Sequence, residues 1–203
     1  MIFATQNTLS NMFRMIAGLL MVLFLINTAT AAPESMPDTE FKKLLKEAIE
    51  SKSEFVDRFD AQVWLMDMSN RLERHAKPIP LDERMSLLKA VHREATRAGL
   101  DPQLVLALIQ TESDFNRFAV SKVGARGLMQ IMPFWIEEIG HKSDNLFDID
   151  TNLRYGCAIL KIYLDRENKQ VSKALARYYG AINGMKYPNK VLKRLRNNWY
   201  VGH

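Results

Sequence analysis

Residues 101–112 read Asp-Pro-Gln-Leu-Val-Leu-Ala-Leu-Ile-Gln-Thr-Glu and say more about the fold than any other part of the chain. Asp101 is a residue type that caps helix N-termini, and Pro102 suits a first helical turn because its φ is already fixed near the helical value. Residues 104–109 are all apolar, so a helix formed by them is apolar on every face. They are too few to cross a membrane, which takes about 20 apolar residues. The stretch therefore predicts a buried central helix that ends near Glu112.

The rest of the chain also shows helical periodicity, and no segment of useful length alternates apolar and polar residues as a strand does. The chain is therefore predicted to be all-α. Further helices are predicted from Ser53 to His75, from Asp82 to Gly99, from Met132 to Ile139, and over 150–167, 171–181 and 188–199. The candidate core residues of the helix that ends at His75 are Phe55, Phe59, Val63, Met66 and Leu72.

A proline-rich break, Lys-Pro-Ile-Pro at residues 77–80, interrupts the helical pattern. Proline lacks the backbone donor that a helix needs, and its ring clashes with the preceding turn. We place a boundary here, between a small N-terminal helical segment over residues 33–79 and a main domain over residues 80–203.

Residues 1–32 have the composition of a secretory signal peptide. Arg14 is the only charged residue before Glu34, and an apolar run over residues 15–26 follows it. Residues 29–32, Ala-Thr-Ala-Ala, supply the small side chains of a cleavage site. A retained N-terminal anchor is the alternative, although the run is shorter than the about 20 residues of a membrane span. We expect cleavage, export to the periplasm and no membrane contact afterwards.

The composition is that of a folded globular protein and not of a disordered chain. With 47% hydrophobic and 25% charged residues, the chain is typical of globular proteins. The formal net charge of +5 suits an anionic partner but is too modest to indicate nucleic acid. Cys157 is the only cysteine, and its apolar neighbours predict a buried, unreactive thiol. The four histidines show no metal-ligand spacing, so we expect neither a metal nor another cofactor.

Glu112 is the candidate for acid–base chemistry because it ends the most apolar helix of the chain. A carboxyl group beside such a helix is partly desolvated, and desolvation raises its pKa by disfavouring the charged form. A raised pKa lets a carboxylic acid keep its proton near neutrality and act as a general acid. Considered alone, the position also fits an ordinary surface glutamate.

Most glycosidases use two carboxylates, and the sequence offers no clear second one. Asp114 lies two residues from Glu112, and residues at that separation on a helix do not face each other. Asp144, Asp148 and Asp150 belong to a later polar loop, and nothing in the sequence brings them to Glu112. A glycosidase built on this chain would therefore use one carboxylate, assisted by an N-acetyl group of the sugar.

A longer pattern surrounds Glu112. Residues 109–133 read Ile-Gln-Thr-Glu-Ser-Asp-Phe-Asn-Arg-Phe-Ala-Val-Ser-Lys-Val-Gly-Ala-Arg-Gly-Leu-Met-Gln-Ile-Met-Pro. This resembles the signature of the soluble lytic murein transglycosylase family: Glu-Ser, Phe-Asn, Ala-Val-Ser and Gly-Ala-x-Gly-Leu-Met-Gln-x-Met-Pro, with the same spacing. The resemblance covers about residues 80–199 and implies a lysozyme-like helical catalytic domain over residues 80–203.

The resemblance also implies roles for single residues. Glu112 matches the catalytic acid and base, and Ser121 matches a serine whose hydroxyl orients the glutamate and the reacting sugar. Gln130 and Met132 match residues that line the groove beside the scissile bond. The glycines that let the loop turn tightly are matched by Gly124 and Gly127.

Two downstream segments extend the resemblance. Residues 151–156, Thr-Asn-Leu-Arg-Tyr-Gly, are similar to a helix start of the family, and Tyr155 is expected either to reach the groove or to pack in the core. Residues 174–180, Ala-Leu-Ala-Arg-Tyr-Tyr-Gly, are similar to the family's Ala-Leu-Ala-x-Tyr-Asn. Tyr178 matches a tyrosine whose hydroxyl points towards the catalytic glutamate. Tyr179 departs from the family pattern, in which asparagine is usual.

The resemblance implies cleavage of peptidoglycan glycan strands without water. Protonated Glu112 would protonate the oxygen between N-acetylmuramic acid (MurNAc) and N-acetylglucosamine (GlcNAc), while the substrate's N-acetyl carbonyl stabilises the anomeric cation. The carboxylate would then deprotonate the 6-hydroxyl, which closes into a 1,6-anhydro end. Peptidoglycan is the implied partner, and cell-wall or secretion-machinery proteins are a further class of partner. A muramidase that uses water, and a catalytically weak cell-wall-binding protein, are the alternatives.

Overall fold

Helices make up the secondary structure of the computed structural model, which describes residues 58–181 and 184–200. Within these residues there is no strand, only isolated bridges that join Arg126 to Val120 and to Ile131. The prediction of an all-α chain is confirmed. The predicted signal peptide and the residues up to 57 lie outside the described part. The helices are α1 (Arg58–His75), α2 (Leu81–Arg97), α3 (Pro102–Glu112), α4 (Phe134–Ile139), α5 (Ile149–Arg166), α6 (Val171–Tyr178) and α7 (Lys186–Arg194), which continues into a π-helical turn (Leu195–Trp199).

Helix α3 lies at the centre, as residues 104–109 predict. The Asp101 carboxylate accepts a hydrogen bond from the Gln103 backbone N–H at 2.8 Å and so caps the helix. Each side chain from Leu104 to Ile109 is at most 5% exposed, and α3 contacts α2, α7 and the π-helical turn. Burying one such side chain stabilises the fold by roughly 1.5–3 kcal/mol. No described helix is long and apolar enough to cross a membrane.

The structure confirms one core residue predicted for helix α1, Leu72, and contradicts two others. Val63 and Met66 were predicted in the core but are 56% and 69% exposed. The buried residues are Leu65, Met68 and Leu72, whose spacing of three and four residues puts them on one side of the helix. Val63 and Met66 therefore lie on the opposite side. The side chains of two further predicted core residues lie outside the described part: Phe55 and Phe59.

Residues 76–80, with their two prolines, connect α1 to α2. The two helices pack against each other, and α1 also contacts the π-helical turn. The buried residues of α1 belong to the same hydrophobic core as those of α3. The proline break therefore separates two helices that share one core.

Helix α5 closes the other side of this core, because it packs against both α2 and α6. Cys157 lies on α5 and is fully buried, which raises the pKa of its thiol. The prediction of a buried thiol is confirmed. Helix α6 ends at Tyr178, three residues before the predicted end, and Gly180 follows with φ +81°. Such a left-handed residue terminates a helix.

Candidate active site

Glu112 is the last residue of α3, and its side chain is only partly accessible. Burial raises the pKa of Glu112, while the Tyr187 hydroxyl and the Lys190 ammonium act in the opposite direction without cancelling that shift. The helix ends here because Ser113 leaves the helical conformation and Asp114 has φ +50°. The end of the central helix therefore carries a carboxyl group that holds its proton more strongly than an exposed glutamate.

Tyr187 is the partner of this carboxyl group, since its hydroxyl donates a hydrogen bond to Glu112 Oε1. It lies in the first turn of α7, which packs against α3. Burial and the nearby Glu112 charge raise the pKa of Tyr187, so its hydroxyl remains a donor. Sequence reasoning missed this residue. The last helix was predicted to begin at residue 188, and no sequence motif links Tyr187 to Glu112.

The loop after α3 is held by its own side chains. Ser113 donates from its hydroxyl to the Leu128 carbonyl at 2.8 Å. The Ser121 hydroxyl oxygen accepts from the Ala125 backbone N–H at 3.0 Å. The Gln130 amide donates to the carbonyls of Ala119 and Gly127 at 3.2 and 2.9 Å. Ser121 and Gln130 therefore brace the loop beside Glu112, and both side chains stay partly accessible.

Asn152, on α5, fixes the middle of this loop. Its amide oxygen accepts from the Met129 N–H at 2.8 Å, and its amide nitrogen donates to the carbonyls of Arg126 and Leu146 at 2.9 and 2.8 Å. The side chain is only 1% exposed, so these bonds replace all of its contacts with water. Gly127 passes so close to it that a Cβ there would lie 2.2 Å from Asn152 Nδ2.

Tyr178 reaches the site from the end of α6. Its hydroxyl donates to the Met129 carbonyl at 2.8 Å, so its hydrogen bond goes to the loop and not to Glu112. Glu112 is nevertheless close enough to contribute, after burial, to raising the pKa of Tyr178. Met132 lies at the far end of the loop, partly buried against the core. Tyr178 and Tyr187 therefore lie near the Glu112 carboxyl group on two different helices, and Tyr187 donates a hydrogen bond to it.

The structure contradicts the expectation that Tyr155 lines the groove and binds substrate. The side chain is fully buried in the core, and its hydroxyl donates to Asp144 at 2.6 Å. It stands on the inner face of α5, one turn from Asn152. Of the two expectations for this residue, core packing is the one that the structure supports.

The aspartates considered as second carboxylates are engaged elsewhere. Asp144 accepts from Tyr155, Asp148 caps α5 through the Thr151 N–H, and Asp150 pairs with Arg93 at 2.6 Å. Asp114 lies beyond the end of α3 and has a left-handed backbone conformation. The helical spacing between residues 112 and 114 therefore does not determine where its side chain points. Among the described residues, the charged side chain that shifts the pKa of Glu112 is a lysine, not a carboxylate.

Comparison with known proteins gives a family match over this region and several similar proteins. The family model described as "Transglycosylase SLT domain" matches residues 89–200. A transglycosylase of Enterobacteria phage PRD1 is 42% identical over 104 residues, which cover 48% of this chain and 38% of the relative. The membrane-bound lytic murein transglycosylase C of Yersinia pestis (strain Pestoides F) is 35% identical over 115 residues, covering 52% of this chain and 32% of the relative. The chain thus spans about a third of the length of these curated relatives.

A solved structure is also similar. It is the X-ray structure of an inactive mutant of the lytic transglycosylase Slt from Pseudomonas aeruginosa, which is 28% identical with a TM-score of 0.43. That match covers 68% of this chain and 23% of the other. Since the family model covers more than half of the 203 residues, the chain belongs to the transglycosylase SLT domain family.

Proposed function

We propose that the chain is a lytic transglycosylase that cleaves the β-1,4 bond between MurNAc and GlcNAc in peptidoglycan and leaves 1,6-anhydro-MurNAc ends. One observation carries the proposal: Glu112 ends the buried helix of an SLT domain, with a raised pKa and a hydrogen bond from Tyr187. The names of the relatives, transglycosylase and lytic murein transglycosylase C, support the same reaction class.

The raised pKa suits Glu112 to the first step, in which it gives its proton to the glycosidic oxygen. The C–O bond then breaks with its electron pair passing to that oxygen, and the carbonyl oxygen of the MurNAc N-acetyl group stabilises the anomeric carbon. Glu112 is left as a carboxylate, and the Tyr187 hydroxyl stabilises this charged form.

The second step regenerates the acid. The carboxylate removes the proton of the MurNAc 6-hydroxyl, whose oxygen bonds to the anomeric carbon and so takes the place of the stabilising N-acetyl oxygen. The ring closes, Glu112 regains its proton, and no water is consumed. Support for a single carboxylate comes from the aspartates, because Asp144, Asp148 and Asp150 are all held by other partners.

We assign the substrate side of the site to Ser121, Gln130, Met132 and Tyr178. These four side chains are partly accessible and lie on the loop after α3 or against it. The loop is anchored to α5 through Asn152, so it can present them on a rigid support. Pre-organised groups stabilise a transition state without having to reorganise during the reaction.

We further propose that residues 1–32 direct export to the periplasm, where peptidoglycan is accessible. The catalytic domain then comprises residues 80–203, preceded by the helical segment over residues 33–79. Protein partners from the cell wall or from a secretion machinery remain an expectation of the family resemblance.

The direct test is Glu112→Gln in the full chain, with Glu137→Gln as the matched control. Glu137 is an exposed glutamate of α4. We expect release of soluble fragments from purified peptidoglycan to fall by about a thousandfold in E112Q, since an amide cannot transfer the proton. E137Q should retain the wild-type rate. Near-wild-type activity of a folded E112Q would exclude this mechanism. A folded but inactive wild type would favour the cell-wall-binding alternative.

A further inference from the structure

Tyr179 occupies the position where the family motif usually has asparagine. It is the residue after α6, and its backbone N–H still donates to the Leu175 carbonyl at 3.1 Å. Its side chain is 60% exposed. Core packing therefore does not account for a tyrosine at this position.

The contact that Tyr179 does make is with Tyr187. The two rings are stacked, with centroids 4.3 Å apart and planes inclined by only 12°. Tyr187 is itself partly buried against the core, and its hydroxyl donates to Glu112. A ring covered in this way has fewer orientations available, so its hydroxyl is held more firmly in one direction.

We propose that Tyr179 is a positioning residue, whose ring stacks on Tyr187 and keeps the Tyr187 hydroxyl directed at the Glu112 carboxyl group. This inference rests on the proposed function, because it takes Glu112 as the acid and base. It assigns a role to a residue at which this chain departs from the family motif. The Tyr179 hydroxyl makes no hydrogen bond within the described residues, so the ring alone fulfils this role.

The charged and titratable groups around Glu112 determine in which direction its pKa changes when the stack is lost. Tyr187 and Lys190 of α7 both lower the pKa of Glu112, against the larger effect of burial, and Tyr178 of α6 lies close by. Around Tyr187, the titratable groups are Glu112, Tyr178 and Tyr179. If the stack is lost, the hydrogen bond to the carboxylate weakens, and the pKa of Glu112 should rise further.

The test compares Tyr179→Ala and Tyr179→Phe in the full chain, with Tyr200→Ala as the matched control. Tyr200 is 59% exposed. The pKa of Glu112 is followed by NMR of ¹³C-carboxyl-labelled glutamate, with E112Q identifying its signal. We expect Y179A to raise this pKa, Y179F to restore the wild-type value, and Y200A to leave it unchanged. With peptidoglycan, Y179A should lower kcat by about tenfold while changing KM little.

The same titration in a Tyr187→Phe background shows whether Tyr179 acts through the Tyr187 hydroxyl. There, Y179A should cause no further shift. An unchanged Glu112 pKa in Y179A, an equal shift in the Y187F background, or a rise confined to KM would overturn the proposal. Y179L keeps an apolar side chain without a planar ring, and it serves if Y179A does not fold. Because the NMR readout needs no substrate, an inactive wild-type chain would count against the proposed function and not against the stack.

Discussion

At the scale of single residues, the site depends on opposing effects on one carboxyl group. Burial raises the pKa of Glu112, and the hydrogen bond from Tyr187 and the charge of Lys190 lower it. An acid that must donate a proton is active only while it is protonated, so the rate falls as pH rises above this pKa. In the mechanism that we propose, the groups around Glu112 therefore set the alkaline limit of activity.

Replacing Tyr187 by Phe removes the donor while keeping the ring. Loss of a hydrogen bond that favours the carboxylate raises the pKa of Glu112, so the alkaline limb of kcat/KM should move to higher pH. At its optimum, kcat should fall by roughly tenfold or more, because the carboxylate formed in the first step loses a charge-assisted bond. Complete pH–rate profiles check both effects, with Tyr200→Phe as the exposed control. A limb that moves to lower pH would contradict the account.

The hypothesis that Glu112 is the acid and base comes from local evidence: an apolar helix before it and a spaced motif after it. The sequence could not predict Tyr187, which is 75 positions away and reaches Glu112 only through the packing of α7 on α3. Tyr155 is the opposite case, a residue that a local motif indicates but whose environment depends on packing. Its motif left both the groove and the core open, and an inner position on α5 buries it completely.

At the scale of elements, α3 is tied to its neighbours by Gln110, two residues before Glu112. Its amide donates to the His75 carbonyl at 3.0 Å and accepts from the side chains of Asn198 and Trp199 at 2.9 and 3.0 Å. The side chain is 6% exposed. One glutamine therefore joins the end of α1, the central helix and the π-helical turn.

Replacing Gln110 by Ala should destabilise the protein by more than the lost packing alone, because it leaves the Trp199 N–H buried without an acceptor. Each such group costs about 1–3 kcal/mol, which corresponds to a fall in Tm of roughly 2–4 °C per kcal/mol for a chain of this size. Thermal unfolding checks this prediction. Gln103→Ala, in the first turn of the same helix, is the control. Equal Tm values for the two variants would show that the network does not stabilise the fold.

Two glycines of the loop after α3 provide a second test at this scale. Both have positive φ, +88° at Gly124 and +78° at Gly127. A Cβ at Gly124 would meet nothing within 4 Å, whereas one at Gly127 would lie 2.3 Å from the Leu146 carbonyl oxygen. Alanine at residue 124 should therefore cost only the backbone strain of about 1 kcal/mol.

Alanine at residue 127 should cost more, because it also displaces Asn152, which holds the Met129 N–H. We expect G127A to lower activity by at least about tenfold and to unfold at lower denaturant concentration than G124A. Urea denaturation and a peptidoglycan release assay measure the two effects. If the two variants behave alike, steric closeness to Asn152 does not determine the loop geometry.

The helices were predicted well where the capping residues and the apolar periodicity agree. Asp101, Pro102 and the apolar run gave α3 and its cap, as the structure shows. On α1, Leu72 was predicted correctly but Val63 and Met66 were not, because apolar residues stand on both sides of that helix and only packing selects the buried side. Helix α7 begins two residues before its predicted start at residue 188, and it accommodates Pro188 in the first turn because no backbone donor is needed there.

At the scale of the whole molecule, the family match over residues 89–200 leaves out α1 and part of α2. The structure adds that α1 contributes to the same core and contacts the π-helical turn that carries Trp199. The helix before the proline break thus supports the end of α3 from outside the matched region. The sequence predicted that helix but not its packing, because contacts between distant segments leave no periodic pattern.

The chemistry of the product tests the central claim most directly. The full chain would be incubated with purified peptidoglycan beside E112Q, and the soluble muropeptides would be analysed by mass spectrometry. We predict 1,6-anhydro-MurNAc ends, lighter by one water than hydrolysis products and absent with the variant. Reducing ends formed in a Glu112-dependent manner would contradict the account and identify a muramidase that uses water.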